Sequence, residues 1–186
     1  MKKIMKLFLW AAGILMLAVI AALIYLKFAL SNVGKAPELK VEMTAERIAR
    51  GKYLANNVAV CMDCHSKRDW SRFAGPPVPA TLGMGGEIFD QKFGYPGSYS
   101  SKNITPAGIS RYSDGELFRV ISSGVNREGK ALFPIMPYLN YGQMDEEDIR
   151  SIIAYIRTLI PVRNQVPESA SDFPMNFIIN LIKTFL

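Results

Sequence analysis

No charged side chain interrupts the run from Leu7 to Leu26, 20 residues reading LFLWAAGILMLAVIAALIYL. At 1.5 Å per residue a helix of that length crosses a hydrocarbon core of about 30 Å. Lys2, Lys3 and Lys6 precede the run, and by the positive-inside rule they hold the N-terminus in the cytoplasm. The remainder of the chain is then exported. Apolar cores of cleaved signal peptides usually run about 7–15 residues and end at a small-residue cleavage site. Here the run is longer, Tyr25, Leu26, Lys27 and Phe28 stand where such a site would be wanted, and no cysteine near residue 20 is available to carry a lipid. Residues 1–30 are therefore expected to form an uncleaved single-pass anchor, with the lipid bilayer as a partner.

The net charge of +6 does not mark a nucleic-acid binder. Five lysines and no acids fall within residues 1–35, so residues 36–186 are left with a net of +1. No basic face remains for a polyanion.

Beyond the anchor, SNVGKAPEL reads as part of a linker over 31–43. A helix is expected from Thr44, an N-cap threonine followed by an early Glu46, with Ile48, Gly51 and Ala55 on one face. Residues 73–112 are crowded with glycine and proline and sustain neither helical nor strand periodicity, which predicts a long ordered loop. In SDGELFRVISSGV, Ser113 and Glu116 make a capping box and Gly124 stands where a helix would stop. In MDEEDIRSIIAYIRTLI the acids of 145–148 fill a first turn. Ile149, Ile152, Ile153, Ile156, Leu159 and Ile160 follow at helical spacing, with Arg157 near the end and Pro161 as a stop. The tail 163–186 is apolar over 173–186 but too short there to span a bilayer; it can lie on the membrane surface, on the domain or on a partner.

The two cysteines and the one histidine of the chain stand together in Cys61-Met62-Asp63-Cys64-His65. A disulfide between Cys61 and Cys64 makes no use of the histidine. A thioredoxin-like pair would expect a βαβ context, which is not visible. A structural zinc site needs four ligands, one more than the box supplies. Covalent c-type haem, for which C-x-x-C-H is the signature, uses every member: two thiols for the vinyl groups on one porphyrin edge and an imidazole for the iron. With no second histidine, a methionine thioether is the expected sixth ligand. Met1, Met5 and Met16 lie in or beside the anchor, Met43 at the linker end and Met62 inside the box. Of Met84, Met136, Met144 and Met175, the best placed is Met136 in FPIMPY. Pro134 and Pro137 flank it and reduce the freedom its loop must lose. Met84 in GMGG is the runner-up.

RGKYLANNVAVCMDCHS, SKNITPAGISRYSDGELFRVISSGV and ALFPIMPYLNYGQMDEEDIRSIIAYIRTL together cover most of residues 50–160. On these motifs the sequence resembles class I, single-haem cytochrome c domains, and more narrowly those that serve as membrane-bound electron-transfer subunits beside bacterial dehydrogenases and respiratory complexes. The resemblance implies an all-α fold over 44–162, carrying long Gly/Pro-rich loops, in which the first and last helices cross tightly with Gly51 against the Ile152–Tyr155–Ile156 face. It also implies that Cys61 and Cys64 carry the thioethers, that His65 is the proximal ligand and that Met136 is the distal one.

The expected function is one-electron transfer by one covalent haem c, not enzyme catalysis. The alternative is a haem-c subunit of a dehydrogenase complex, or a haem enzyme or sensor with an open iron position. The site would stand on the periplasmic side of a bacterial inner membrane, beside a membrane redox complex: a quinol-oxidising complex, a terminal oxidase or a dehydrogenase. Such dehydrogenase subunits often carry several haem domains, whereas this chain has one box. Met62 and Ser66 are expected to rim an exposed haem edge, with Lys67, Arg68 and Arg72 disposed toward an acidic partner.

Overall fold

The computed structural model describes residues 2–28 and 33–181. The ends of the expected anchor and the start of the expected linker (29–32), and the last five residues of the apolar tail, lie outside the described residues. Helix α1 (Lys2–Phe28) is long and apolar enough, by length and composition, to cross a membrane or to serve as a signal sequence. Its large side chains, among them Phe8, Trp10 and Leu17, are exposed instead of packed in a protein core.

Among the described residues seven further α-helices follow: α2 (Ala45–Tyr53), α3 (Cys61–His65), α4 (Pro106–Ile109), α5 (Asp114–Ser123), α6 (Tyr138–Tyr141), α7 (Glu146–Arg157) and α8 (Met175–Ile178). Helical structure dominates, as the expectation of an all-α fold requires. The described residues also contain a small antiparallel sheet in the order β1 (Ile88–Phe89), β2 (Gly97–Ser100), β3 (Ala170–Ser171). Two of these strands, and α4, lie in the 73–112 stretch expected as a loop. Strands of two and four residues are too short to leave an alternating pattern in a sequence.

The core forms where α2 crosses α7. Thr44 caps α2 by accepting the Arg47 amide at 3.2 Å. The two helices approach backbone to backbone, because a methyl built on Gly51 would lie 1.8 Å from the Ser151 carbonyl oxygen and 3.0 Å from Tyr155 Cβ. Around that crossing Leu54, Ala55, Ile149, Ile152, Ile153 and Ile156 are buried. Arg50 makes a two-pronged pair with Asp148 at 2.9 Å, and Arg47 pairs with Glu147, so the acids of the first turn of α7 also fix the register of the crossing. Helix α7 ends at Arg157, before Pro161. Leu159 still reaches the core, but Ile160 is 81% exposed, because the chain leaves helical geometry two residues before it. The capping box at Ser113 and Glu116 and the left-handed Gly124 (φ 59°) bound α5 as the sequence leads one to expect.

Residues 33–44 are not a free tether. They run as an extended strap across α5: the Gly34 carbonyl accepts from Arg119 at 3.2 Å, and the Val41 amide donates to Asp114 at 2.9 Å. Val41 is buried, and the Pro37 carbonyl oxygen lies where a methyl on Gly115 would stand, 1.7 Å away. Asp114 also accepts from Arg157 Nε at 3.2 Å and Nη2 at 2.9 Å, and Arg157 bonds the Ile109 and Tyr112 carbonyls. One carboxylate thus joins strap, α5 and α7. Asp114→Ala should cost on the order of 2–3 kcal/mol, since it strands a largely buried guanidinium and an amide. Urea unfolding of the detergent-solubilised chain reads this directly; a midpoint within error of the parent would show that the strap is held by other contacts.

Candidate functional site

Helix α2 does not simply continue into the cysteine box. Leu54–Val58 widens into a π turn closed by Ala59 N to Leu54 O at 2.8 Å, and Val60 then adopts φ 44°. A β-branched residue in the left-handed region is strained. The strain redirects the chain, so that α3 starts afresh at Cys61. In α3, Cys61 and Cys64 are three residues apart and share a face. Both cysteines are half-buried and neither is bonded to the other. Burial pushes the Cys61 thiol up to about 12, and burial followed by the Asp63 charge raises that of Cys64. Met62, between them, is buried in the core with Leu54, Ile152 and Leu117.

His65 is held from the opposite loop. Its Nδ1 lies 2.6 Å from the Lys102 carbonyl oxygen. A carbonyl only accepts, so Nδ1 carries the proton and Nε2 keeps its lone pair. Burial lowers the His65 pKa, partly offset by that bond, and favours the neutral imidazole that a metal requires. The His65 carbonyl accepts the Gly85 amide at 2.8 Å. Gly85 has φ 69°, and a methyl on it would meet the Ser101 carbonyl oxygen at 2.5 Å, so GMGG passes directly against the segment that carries Lys102. Asn103, the first residue of NITP, anchors that segment. It accepts from Thr105 N at 2.9 Å and Oγ1 at 2.7 Å and donates to the Val162 carbonyl, just past α7, at 2.7 Å.

Met136 stands in the loop between α5 and α6, half-buried and packed against the core cluster. Its loop is fixed at both ends. Leu132 N donates to Gly124 O at 2.8 Å, and Tyr138 N to Met136 O at 2.7 Å. Phe133 stacks on Tyr99 (4.3 Å, 15°) and meets Tyr95 edge-on, joining this loop to β2. Tyr141, in α6, donates to the Ala59 carbonyl at 2.6 Å and so ties the Met136 side of the domain to the turn before the box. Its hydroxyl pKa is raised, chiefly by burial. Met84 is also half-buried, but it lines a surface cleft with Lys67, Asn164 and Pro167, and its carbonyl accepts from Asn164 at 3.0 Å.

Two expectations about the edge of the site are corrected. Met62 and Ser66 do not rim a solvent-exposed edge: Met62 is 1% exposed and Ser66 is fully buried, its Oγ accepting the Gly83 amide at 3.2 Å. Met62 faces the core cluster and Ser66 the GMGG loop. Arg68 turns back onto its own hairpin, donating to the Gly75 and Ala74 carbonyls and lying over the Trp70 ring.

The donor set fits a covalently held porphyrin better than a bare metal ion. Two thiols share a helical face and the adjacent imidazole has its nitrogens differentiated, while among the described residues no group of three or more His, Cys, Asp or Glu side chains converges as a zinc site demands.

No family model matches the chain. It is 30% identical over 157 residues to the fructose dehydrogenase cytochrome subunit of Gluconobacter japonicus, covering 81% of this chain and 30% of that subunit. It is 32% identical over 134 residues to the gluconate 2-dehydrogenase cytochrome c subunit of Pantoea cypripedii, covering 69% of this chain and 27% of that one. This chain is a relative of the cytochrome c subunits of bacterial dehydrogenases. A diheme c-type cytochrome of Cereibacter sphaeroides is also similar, 27% over 147 residues, covering 77% of this chain and 46% of that protein. The chain spans less than a third of the length of either dehydrogenase subunit. Cytochrome c relatives agree with the expectation of an electron-transfer protein in place of an enzyme, and with a haem role for the shared region.

Sequence reasoning missed the Lys102 carbonyl, Tyr141 and Asn164. A main-chain acceptor has no residue-type signature. The one available signal was NITP, whose asparagine holds Lys102 in place.

Proposed function

We propose that the chain is a membrane-anchored one-electron carrier holding one covalent haem c, with residues 44–162 as the haem domain. The observation that carries this reading is the His65–Lys102 bond beside two thiols on one helical face, taken with the cytochrome c relatives. When bound, the haem supplies an Fe(III)/Fe(II) couple. Cys61 and Cys64 would hold it by thioethers. His65 would present Nε2 to the iron, its ring fixed by the Lys102 carbonyl as hydrogen-bond acceptors behind the ring fix other ligating histidines. Met136 would supply the thioether on the other face, from a loop already braced by Phe133, Pro134 and Pro137. Because these supports join covalent neighbours to α5, α6 and α7, little of the protein has to move when an electron arrives or leaves.

The two cysteines allow one such group per chain, where the Cereibacter relative is named as diheme. With α1 as anchor, the domain stands on the periplasmic side of a bacterial inner membrane, next to a redox partner in the same membrane. The names of the relatives favour a dehydrogenase as that partner, with quinol-oxidising complexes and terminal oxidases as the other members of the class.

The test is simple. Protein matured in a haem-exporting host, then denatured and extracted with acidified organic solvent, is expected to stay coloured and to weigh one haem more than the polypeptide. Colourless protein of polypeptide mass overturns the proposal. Carbon monoxide separates the alternative: a closed His/Met iron resists it, whereas an enzyme or sensor with an open position binds it readily.

A further inference from the structure

The apolar tail does not hang free of the anchor. After β3 pairs with β2 (Gly97 with Ser171), the chain turns through Phe173 and Pro174 into α8, which packs on the C-terminal end of α1. Asn180 Nδ2 donates to the Leu26 carbonyl at 3.2 Å. Leu26 lies in the last turn of α1, where carbonyls have no partner within the helix. It is also the last residue of the uncharged run that begins at Leu7.

These two facts set a depth. If α1 crosses the bilayer, its run of 20 uncharged residues fills a hydrocarbon core of about 30 Å and ends at Leu26. A side chain bonded to that carbonyl stands at the boundary between acyl chains and headgroups. The composition of the tail suits that boundary. Phe173 is 77% exposed, with Phe177 edge-on to it at 6.1 Å, and Met175, Ile178, Ile179 and Leu181 are half-buried, while Asp172 and Asn176 face solvent. An aromatic pair beside polar groups is the pattern of a segment lying in the interface plane.

We propose that residues 172–181 lie in the headgroup–acyl boundary of the leaflet through which α1 emerges, as a second, interfacial contact of this chain with lipid. The proposal rests on α1 being a spanning anchor. The tail is bonded to the anchor at Leu26 and paired with β2 of the domain, so the haem domain meets the membrane by one constant face.

The test uses the full chain in phosphatidylcholine vesicles, with acyl chains brominated either near the headgroup or near the chain end, against unbrominated lipid. Taking the emission ratio cancels quenching by haem. One protein carries W70F and reports the anchor through Trp10; a second carries W10F, W70F and F173W and reports the tail. Phe173 is exposed, so the larger ring has room. The tail reporter is expected to lose about half of its emission in the shallow-brominated lipid and far less in the deep-brominated one. Quenching of Trp10 with none at position 173 overturns the interfacial tail and leaves the anchor standing. Deep quenching at position 173 also overturns it, as an inserted segment. If Trp10 itself is unquenched, the anchor reading fails and this inference with it.

Discussion

With Met136 as the proposed distal ligand, Met136→Ala should keep its haem but lose the low-spin spectrum of a six-coordinate iron, and its reduction potential should fall by on the order of 0.1–0.3 V, within the roughly 0.8 V that axial ligands span. Methionine sulfur stabilises ferrous iron, so its loss favours the ferric state. Attachment should be unaffected, because it depends on Cys61, Cys64 and a loop segment that Met136 does not touch through any hydrogen bond of its side chain. The Met136 loop is held by Leu132, Phe133 and Tyr138, all outside the substitution, so the fold should survive. Optical spectra and a redox titration of the variant, with Met84→Ala beside it, check the assignment. An unaltered spectrum in Met136→Ala and an altered one in Met84→Ala would transfer the role to the GMGG loop.

Gly51→Ala should be among the most damaging single-methyl additions in the domain. The added carbon would stand 1.8 Å from the Ser151 carbonyl oxygen, and no side-chain rotamer can relieve a clash with backbone. Either α2 and α7 separate, opening gaps around Leu54, Ile152 and Ile153, or one helix bends. Overpacking in cores costs about 1–3 kcal/mol when side chains can yield, and here they cannot. We expect about 3 kcal/mol or more, a large share of the roughly 5–15 kcal/mol that holds a domain together. Chemical unfolding followed by far-ultraviolet circular dichroism measures it. Ser151→Ala should fail to rescue, since the offending atom belongs to the main chain. A variant as stable as the parent would mean that the crossing is looser than the geometry indicates.

The residues that cap and pack helices were readable in advance. Thr44, the Ser113–Glu116 box, Gly124 and the isoleucine face of α7 announce themselves because each solves a local problem with a distinctive residue type. The buried face ends at Leu159, one residue short of the periodic pattern that includes Ile160, because periodicity continues past the point where the backbone turns. Between 73 and 112 almost nothing was legible. There the order comes from contacts distant in sequence, such as Asn103 to Val162 and Tyr99 to Phe133, and these leave no periodic trace. The box itself was legible as chemistry, and its support was not: the acceptor that orients His65 is a peptide oxygen 37 positions away. The burial of Met62 and Ser66 likewise depends on which side of α3 meets the core, which spacing alone does not reveal.

Under the proposed reading as a membrane-anchored electron carrier, the bond between the tail and the end of α1 has a consequence for how the protein would find a partner. A cytochrome on a slack leash samples many attitudes, and most collisions are wasted on the wrong one. Under that reading, a domain held to its stem at Asn180 and Leu26 would travel as a single rudder, drifting and spinning about the membrane normal. Its search would then be planar with a single angle to match, and a partner would need its electron port at one fixed height above the lipid.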